Sequence, residues 1–186
     1  MLGELPNSVT INGREIPLNT DFRIALIVIQ IMNDPDIKEA QKGILMIDAL
    51  MGLENLKIPD DLEQAAEKCV WFMDGGKDYT QKQKEKPMMN WEQDEQIIFS
   101  AVNNVAKMEV RAQKYMHWWT FLGYYLEIQE GLFSTVLMIR QKKRRGKKLE
   151  KHELEFYKKN KDLVDLKQVY SEEEKKEIER LNKIFT

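Results

Sequence analysis

Asn19-Thr20-Asp21-Phe22-Arg23-Ile24-Ala25-Leu26-Ile27-Val28-Ile29-Gln30-Ile31-Met32-Asn33 is the stretch on which the fold class turns. Phe22, Ala25, Leu26, Ile29 and Met32 recur at the spacing of one helix face. Ile24, Ile27, Val28 and Ile31 fill the rest, so a helix here is apolar nearly all round, which marks a buried helix. The β-branched residues also suit a buried strand. Asn19-Thr20-Asp21 offers helix caps, and the run is longer than an ordinary strand. Cap and length favour a helix from about Asp21 to Asn33, with a buried strand as the competing reading.

Upstream lies Ser8-Val9-Thr10-Ile11-Asn12-Gly13-Arg14-Glu15-Ile16. Asn-Gly accepts positive φ at both central turn positions, as a type I′ hairpin requires. Val9 and Ile11 give the hairpin one apolar face, and an isolated hairpin is marginal in water, so it is expected to lie on the first helix. Downstream, Asp34-Pro35 opens a second helix, to about Met51, stopped by Gly52. Pro59-Asp60-Asp61 opens a third, ended by Gly75-Gly76. Lys77 to Lys86 is polar and without apolar periodicity, and is expected to be a mobile linker. Beyond it the spacing predicts helices over Trp91–Met108, Arg111–Ile128, Leu132–Arg144 and Glu150–Leu166. A last helix, from about Glu172 to Ile184, carries the capping box Ser171-x-x-Glu174.

The chain is therefore expected to be mainly α, a multi-helix bundle with an N-terminal β-hairpin and a helical C-terminal tail. Its expected divisions are residues 1–76 (hairpin plus helices), 77–90 (flexible polar linker), 91–148 (aromatic-rich helices ending in a basic run) and 149–186 (charged helical tail).

Composition narrows the chemistry. Of 186 residues, 42% are hydrophobic and 32% charged, a balance typical of a folded soluble protein. The single cysteine, Cys69, excludes an internal disulfide framework and multi-cysteine metal clusters. Met1 to Pro6 has no signal-peptide pattern, and the longest apolar run falls short of the ~20 residues of a membrane span. A cytosolic location is expected. Residues 1–76 hold 13 acids against 6 bases, whereas 77–186 hold 18 acids against 23 bases. That asymmetry permits an anionic partner for the second half, or charge-matched self-contact.

Few residues point to catalysis. His152-Glu153 begins an H-E-x-x-H zinc motif but lacks its second histidine, and no phosphate-binding glycine loop or nucleophile elbow occurs. His117, beside Trp118 and Trp119, and Cys69, on an amphipathic helix, read as structural. No cofactor and no metal is expected, and the chain is not expected to be an enzyme.

Two surfaces stand out instead. Arg140, Lys142, Lys143, Arg144, Arg145, Lys147 and Lys148 crowd nine positions, either as a phosphate-binding patch or as a solvated helix end that complements the dipole. Aromatics do not interleave with them, so a stacking platform for single strands is missing. Tyr115, Trp118, Leu122 and Tyr125 share one face at helical spacing, with Met116, Trp119, Gly123 and Leu126 on the next, and Phe121 and Tyr124 widening it. This excess over one stripe suggests either a central buried helix or a partner contact through Tyr115, Trp118, Trp119, Phe121, Tyr125 and nearby Met138.

A family resemblance adds to this. Leu5 to Gly13, followed by Ile16-Pro17-Leu18-Asn19-Thr20-Asp21-Phe22-Arg23, resembles the opening of the bacteriophage gene-product-fifteen family of long-tailed phages of Gram-positive bacteria. Trp91-x-x-Asp94, His117-Trp118-Trp119-x-Phe121 and Ile139-Arg140 with its lysine-rich sequel are similar to that family's later blocks, in the same order. The match runs from about Leu5 to Leu166. The resemblance implies a mainly helical, non-enzymatic tail assembly chaperone that binds the tape-measure protein before the tail tube polymerises. It supplies no catalytic residues. Its implied partners are the tape-measure protein and other tail proteins, and the spare apolar surface of the helices also permits a homo-oligomer. Its implied place is the host cytoplasm during assembly, outside the mature virion. The alternative is a nucleic-acid-binding or regulatory phage protein using the run 140–148.

Overall fold

Asp21 ends the ambiguity of the deciding stretch. Its Oδ1 accepts the Arg23 amide at 2.9 Å, and the chain runs on as helix α1, Phe22–Asn33. The computed structural model describes residues 3–77 and 87–185. Helices hold 59% of the described residues, and a two-stranded antiparallel hairpin precedes them. The chain divides into two compact units, one of Met1–Asp78 with Gln168–Thr186, the other of Tyr79–Lys167.

In the first unit, β1 (Ser8–Ile11) pairs with β2 (Arg14–Pro17), Val9 opposite Ile16 and Ile11 opposite Arg14. Asn12 and Gly13 take φ of 47° and 74°, the positive pair that a type I′ turn requires. The tip is tied to the start of α3 (Leu62–Met73). Asn12 Nδ2 donates to Asp61 Oδ1 at 2.8 Å, and Arg14 pairs with the same carboxylate. Asp61 also accepts the Lys57 amide at 2.6 Å, so one buried acid joins the hairpin to the start of α3.

Helix α1 packs on α2 (Glu39–Met51), and α2 on α3. Phe22, Ala25 and Val28 bury one side of α1; Met46, Ile47, Leu50 and Met51 answer from α2, and Ala65, Cys69 and Phe72 from α3. Each fully buried Phe or Leu contributes about 1.5–3 kcal/mol of transfer free energy. Helix α2 begins later than Pro35. Asp34 Oδ1 accepts the Asp36 amide at 2.8 Å and closes a turn there instead of capping a helix. Gly52, at φ 70°, ends α2 as the sequence indicates. The unit also holds α9 (Glu172–Phe185), whose capping box closes with Glu174 N to Ser171 Oγ at 3.1 Å and Ser171 N to Glu174 Oε2 at 2.8 Å. Asp36 accepts the Glu172 amide at 2.9 Å.

The second unit is built from α4 (Glu95–Ala106), α5 (Trp118–Leu126), α6 (Leu132–Arg144), α7 (Lys151–Lys159) and α8 (Lys161–Val164). Helix α4 packs against α5 and α6, and α6 against α8. Their core is Ile98, Val102, Phe121, Phe133, Val136, Ile139 and Val164, with Val110 from the connection. The expected helix Arg111–Ile128 is corrected. A 3-10 turn, Val110–Ala112, comes first, and α5 starts only at Trp118. The expected Glu150–Leu166 helix breaks at Asn160 into α7 and α8. Most of the expected linker, residues 78–86, lies outside the described residues. No helix of the described residues is long and apolar enough to cross a membrane.

Candidate functional site

Arg140 heads the basic run in sequence, but in space it belongs to the core. It lies on the buried side of α6 with Phe133, Val136 and Ile139. Nη1 donates to Asp94 Oδ2 at 2.6 Å and Nη2 to Asp94 Oδ1 at 2.8 Å, a two-pronged pair with the carboxylate wholly buried. Nε donates to the Val164 carbonyl at 2.7 Å, Nη2 to that of Leu163 at 2.8 Å, and Nη1 to that of Met88 at 3.3 Å. Five contacts match the five donors of a guanidinium, so none is left for a phosphate.

The next two bases are also engaged. Lys142 bonds Glu153, a buried acid, and with the Glu150 amide it holds the Glu153 carboxyl below its ordinary value. Lys143 pairs with Asp165 and lies 3.9 Å above the Tyr157 ring. Arg144, Arg145, Lys147 and Lys148 are exposed. The run is therefore half clasp and half surface. The clasp fastens α7 and α8 to α6.

The aromatic segment divides in the same way. His117 is buried and caps α5, its Nδ1 accepting the Trp119 amide at 3.0 Å. Trp118 and Phe121 are buried and stacked, centroids 5.8 Å apart, and Phe99 of α4 meets Phe121 edge-on at 5.9 Å. Tyr125 lies between Trp91 at 5.4 Å and Phe133 at 5.9 Å, and its hydroxyl reaches Met89 Sδ at 2.9 Å. Burial, aided by the charge of Asp94, pushes its hydroxyl pKa up. Trp119 is half-buried, whereas Tyr115, Leu126 and Met138 are exposed. The structure thus brings Trp118, Phe121 and Tyr125 together as packing. It leaves Tyr115 ahead of α5 and Met138 on α6 as surface.

The most distinctive surface lies on α1. Ile24, Ile27 and Ile31 fall at i, i+3 and i+7, one ridge of the helix, opposite buried Phe22 and bordered by buried Val28. Ile27 is 44% exposed, with Ile24 and Ile31 half-buried beside it and Met32 exposed at the last turn. Sequence reasoning expected α1 to be buried all round. The signal was present in the apolar run, but the pattern alone does not tell which side lacks a partner.

Burial pushes the Cys69 thiol up to about 12, so it is no thiolate at neutral pH. Glu109, held down to about 2 by Arg111, is a fixed anion in a surface pair. Among the described residues no three His, Cys, Asp or Glu side chains converge as a metal site. A cavity of about 300 Å³ lies where Ala101, Asn104 and Val105 of α4 face Glu127, Ile128 and Glu130.

A family model described as Bacteriophage Gp15 protein matches residues 1–166 of the chain. No curated protein and no solved structure matches it.

Proposed function

The chain belongs to the Bacteriophage Gp15 protein family, which is associated with phage structure and assembly, and on that premise we propose that it is a non-enzymatic tail assembly chaperone. Its partner is the tape-measure protein, a long helical chain whose apolar stripes aggregate if left uncovered. The chaperone covers those stripes until tube subunits displace it. It therefore acts in the host cytoplasm during assembly and is absent from the finished virion.

The observation that carries this reading is the outer face of α1. Three isoleucines at i, i+3 and i+7 form the surface against which an amphipathic helix seats its own apolar stripe. On the other unit, Tyr115, Leu126 and Met138 offer a second set of apolar contacts. Weak binding at several such points suits a partner that must later be released.

Co-expression with the tape-measure protein tests the reading. The wild-type chain should keep that protein soluble. Ile27→Asp, at an exposed position, should leave the chaperone folded and weaken the complex roughly tenfold or more, a loss of about 1.4 kcal/mol or greater. A folded Ile27→Asp variant that solubilises the tape-measure protein as well as wild type would remove α1 as the site.

A further inference from the structure

Helix α9 stands outside the core of its unit. Every residue from Glu172 to Leu181 is exposed, Ile178 at 37% and Leu181 at 42%. The family match ends at residue 166, ahead of this helix. A helix of 14 residues is marginal in water by itself, and helices in proteins draw most of their stability from an apolar face packed on something else. The charges that border the α9 stripe are bonded within the helix: Lys175 to Glu172 at 2.6 Å, Glu177 to Arg180 at 2.7 Å, and Glu174 in the capping box. Ile178 and Leu181 stay open to solvent. In the sequence Ile178, Leu181 and Phe185 fall at i, i+3 and i+7. Ile24, Ile27 and Ile31 repeat that spacing on α1, and no charged residue lies between Ile24 and Asn33. Alternating steps of three and four residues keep one seam turned toward a facing helix, so two such ridges interlock.

We propose that α9 of one copy seats on the α1 ridge of a second copy of this chain, Leu181 against Ile27, and that the exchange is reciprocal. Two observations select the second copy. The α1 ridge is uncharged along its length, so it takes a helix whose bordering charges are already bonded to one another, as those of α9 are. The start of α9 is also fixed beside the turn that follows its own α1, by the Glu172 amide on Asp36 Oδ1 at 2.9 Å and by the Ser171–Glu174 box. Held there, α9 leaves Ile27 of its own chain 44% exposed, so the cover comes from another molecule. Each copy gives one helix and receives one, which closes a two-fold dimer and makes every contact twice. The seam is apolar, so salt does not screen it. Where the chaperone reading holds, α9 also guards the ridge until a helix of the tape-measure protein replaces it. The dimer itself does not rest on that reading.

Sedimentation equilibrium of the purified full chain, without any other protein, tests this. At about 0.5 M salt the weight-average mass should rise with concentration from 22.0 kDa toward twice that value. Leu181→Asp and Ile27→Asp change exposed positions, and each should hold the mass at 22.0 kDa. Under a mild thiol oxidant, Leu181→Cys chains mixed with Ile27→Cys chains should form the mixed disulfide several-fold faster than either variant links to itself. Cys69 is buried and does not compete. A wild-type mass fixed at 22.0 kDa, a dimer that survives either aspartate substitution, or no preference for the mixed disulfide would each overturn the proposal. So would a chain carrying both Leu181→Cys and Ile27→Cys that links within itself, since α9 would then cover its own α1. Leu181→Asp leaves α1 intact and should still keep the tape-measure protein soluble, so loss of the dimer and loss of the chaperone reading are told apart.

Discussion

Arg140 and Asp94 set the energetic centre of the second unit. Both are buried, both are fully bonded, and 46 residues separate them along the chain. Removing one member of such a pair strands a buried charge, which costs about 3–5 kcal/mol. Arg140→Ala should lower the stability of the unit by that amount, read as a lower urea midpoint with little change in slope. Arg140→Lys should recover little of it, because an ammonium cannot span the carboxylate and three carbonyls as a planar fork does. A midpoint unchanged within error would refute this role. Spacing along the chain grouped Arg140 with six other bases and said nothing of a partner so far away. The available clue was its position on the apolar stripe of Phe133, Val136 and Ile139. The Trp91-x-x-Asp94 and Ile139-Arg140 blocks, which carry the family resemblance separately, meet at this pair. With Arg140, Lys142 and Lys143 engaged, the phosphate-binding alternative rests on the later bases, exposed Arg145, Lys147 and Lys148 above all.

At the scale of elements, turns and caps explain where sequence reading succeeded and where it stopped. The Asn12-Gly13 turn and the Ser171–Glu174 box were legible because their residues act on their own backbone. The start of α5 was not, because apolar spacing continues through Tyr115 and Met116 although His117 is the cap. The docking of the hairpin was hidden for another reason. It depends on Asp61, about 50 residues from the tip that it holds. The Lys57 amide, the Asn12 side chain and the Arg14 guanidinium keep that carboxyl below its ordinary value. A carboxylate whose pKa is lowered by folding stabilises the fold fully above its unfolded value, and the contribution disappears as pH falls through the folded value. Acidification through the window below the ordinary aspartate value of 3.8 should therefore loosen the hairpin from α3. Asp61→Asn should show a shallower loss of stability over the same window. Equal acid sensitivity of the variant and the wild type would show that Asp61 does not fasten the hairpin.

Across the whole molecule, two helical units leave apolar side chains outside: Ile27, Met32, Ile44 and Leu45 in the first, Tyr115, Leu126, Leu132 and Met138 in the second. Composition indicated a folded, charged chain, and periodicity indicated its helices. Which apolar residues stay exposed became visible only with the packing in place. The central claim is that α1 holds an amphipathic helix by apolar contact. It is tested most directly by mixing the purified chain with tape-measure protein and measuring the complex by light scattering as salt is raised. The account predicts a complex that persists at about 0.5 M salt and is lost with Ile27→Asp, because apolar contacts are not screened. A complex that dissolves in salt, or that Ile27→Asp leaves intact, would contradict it.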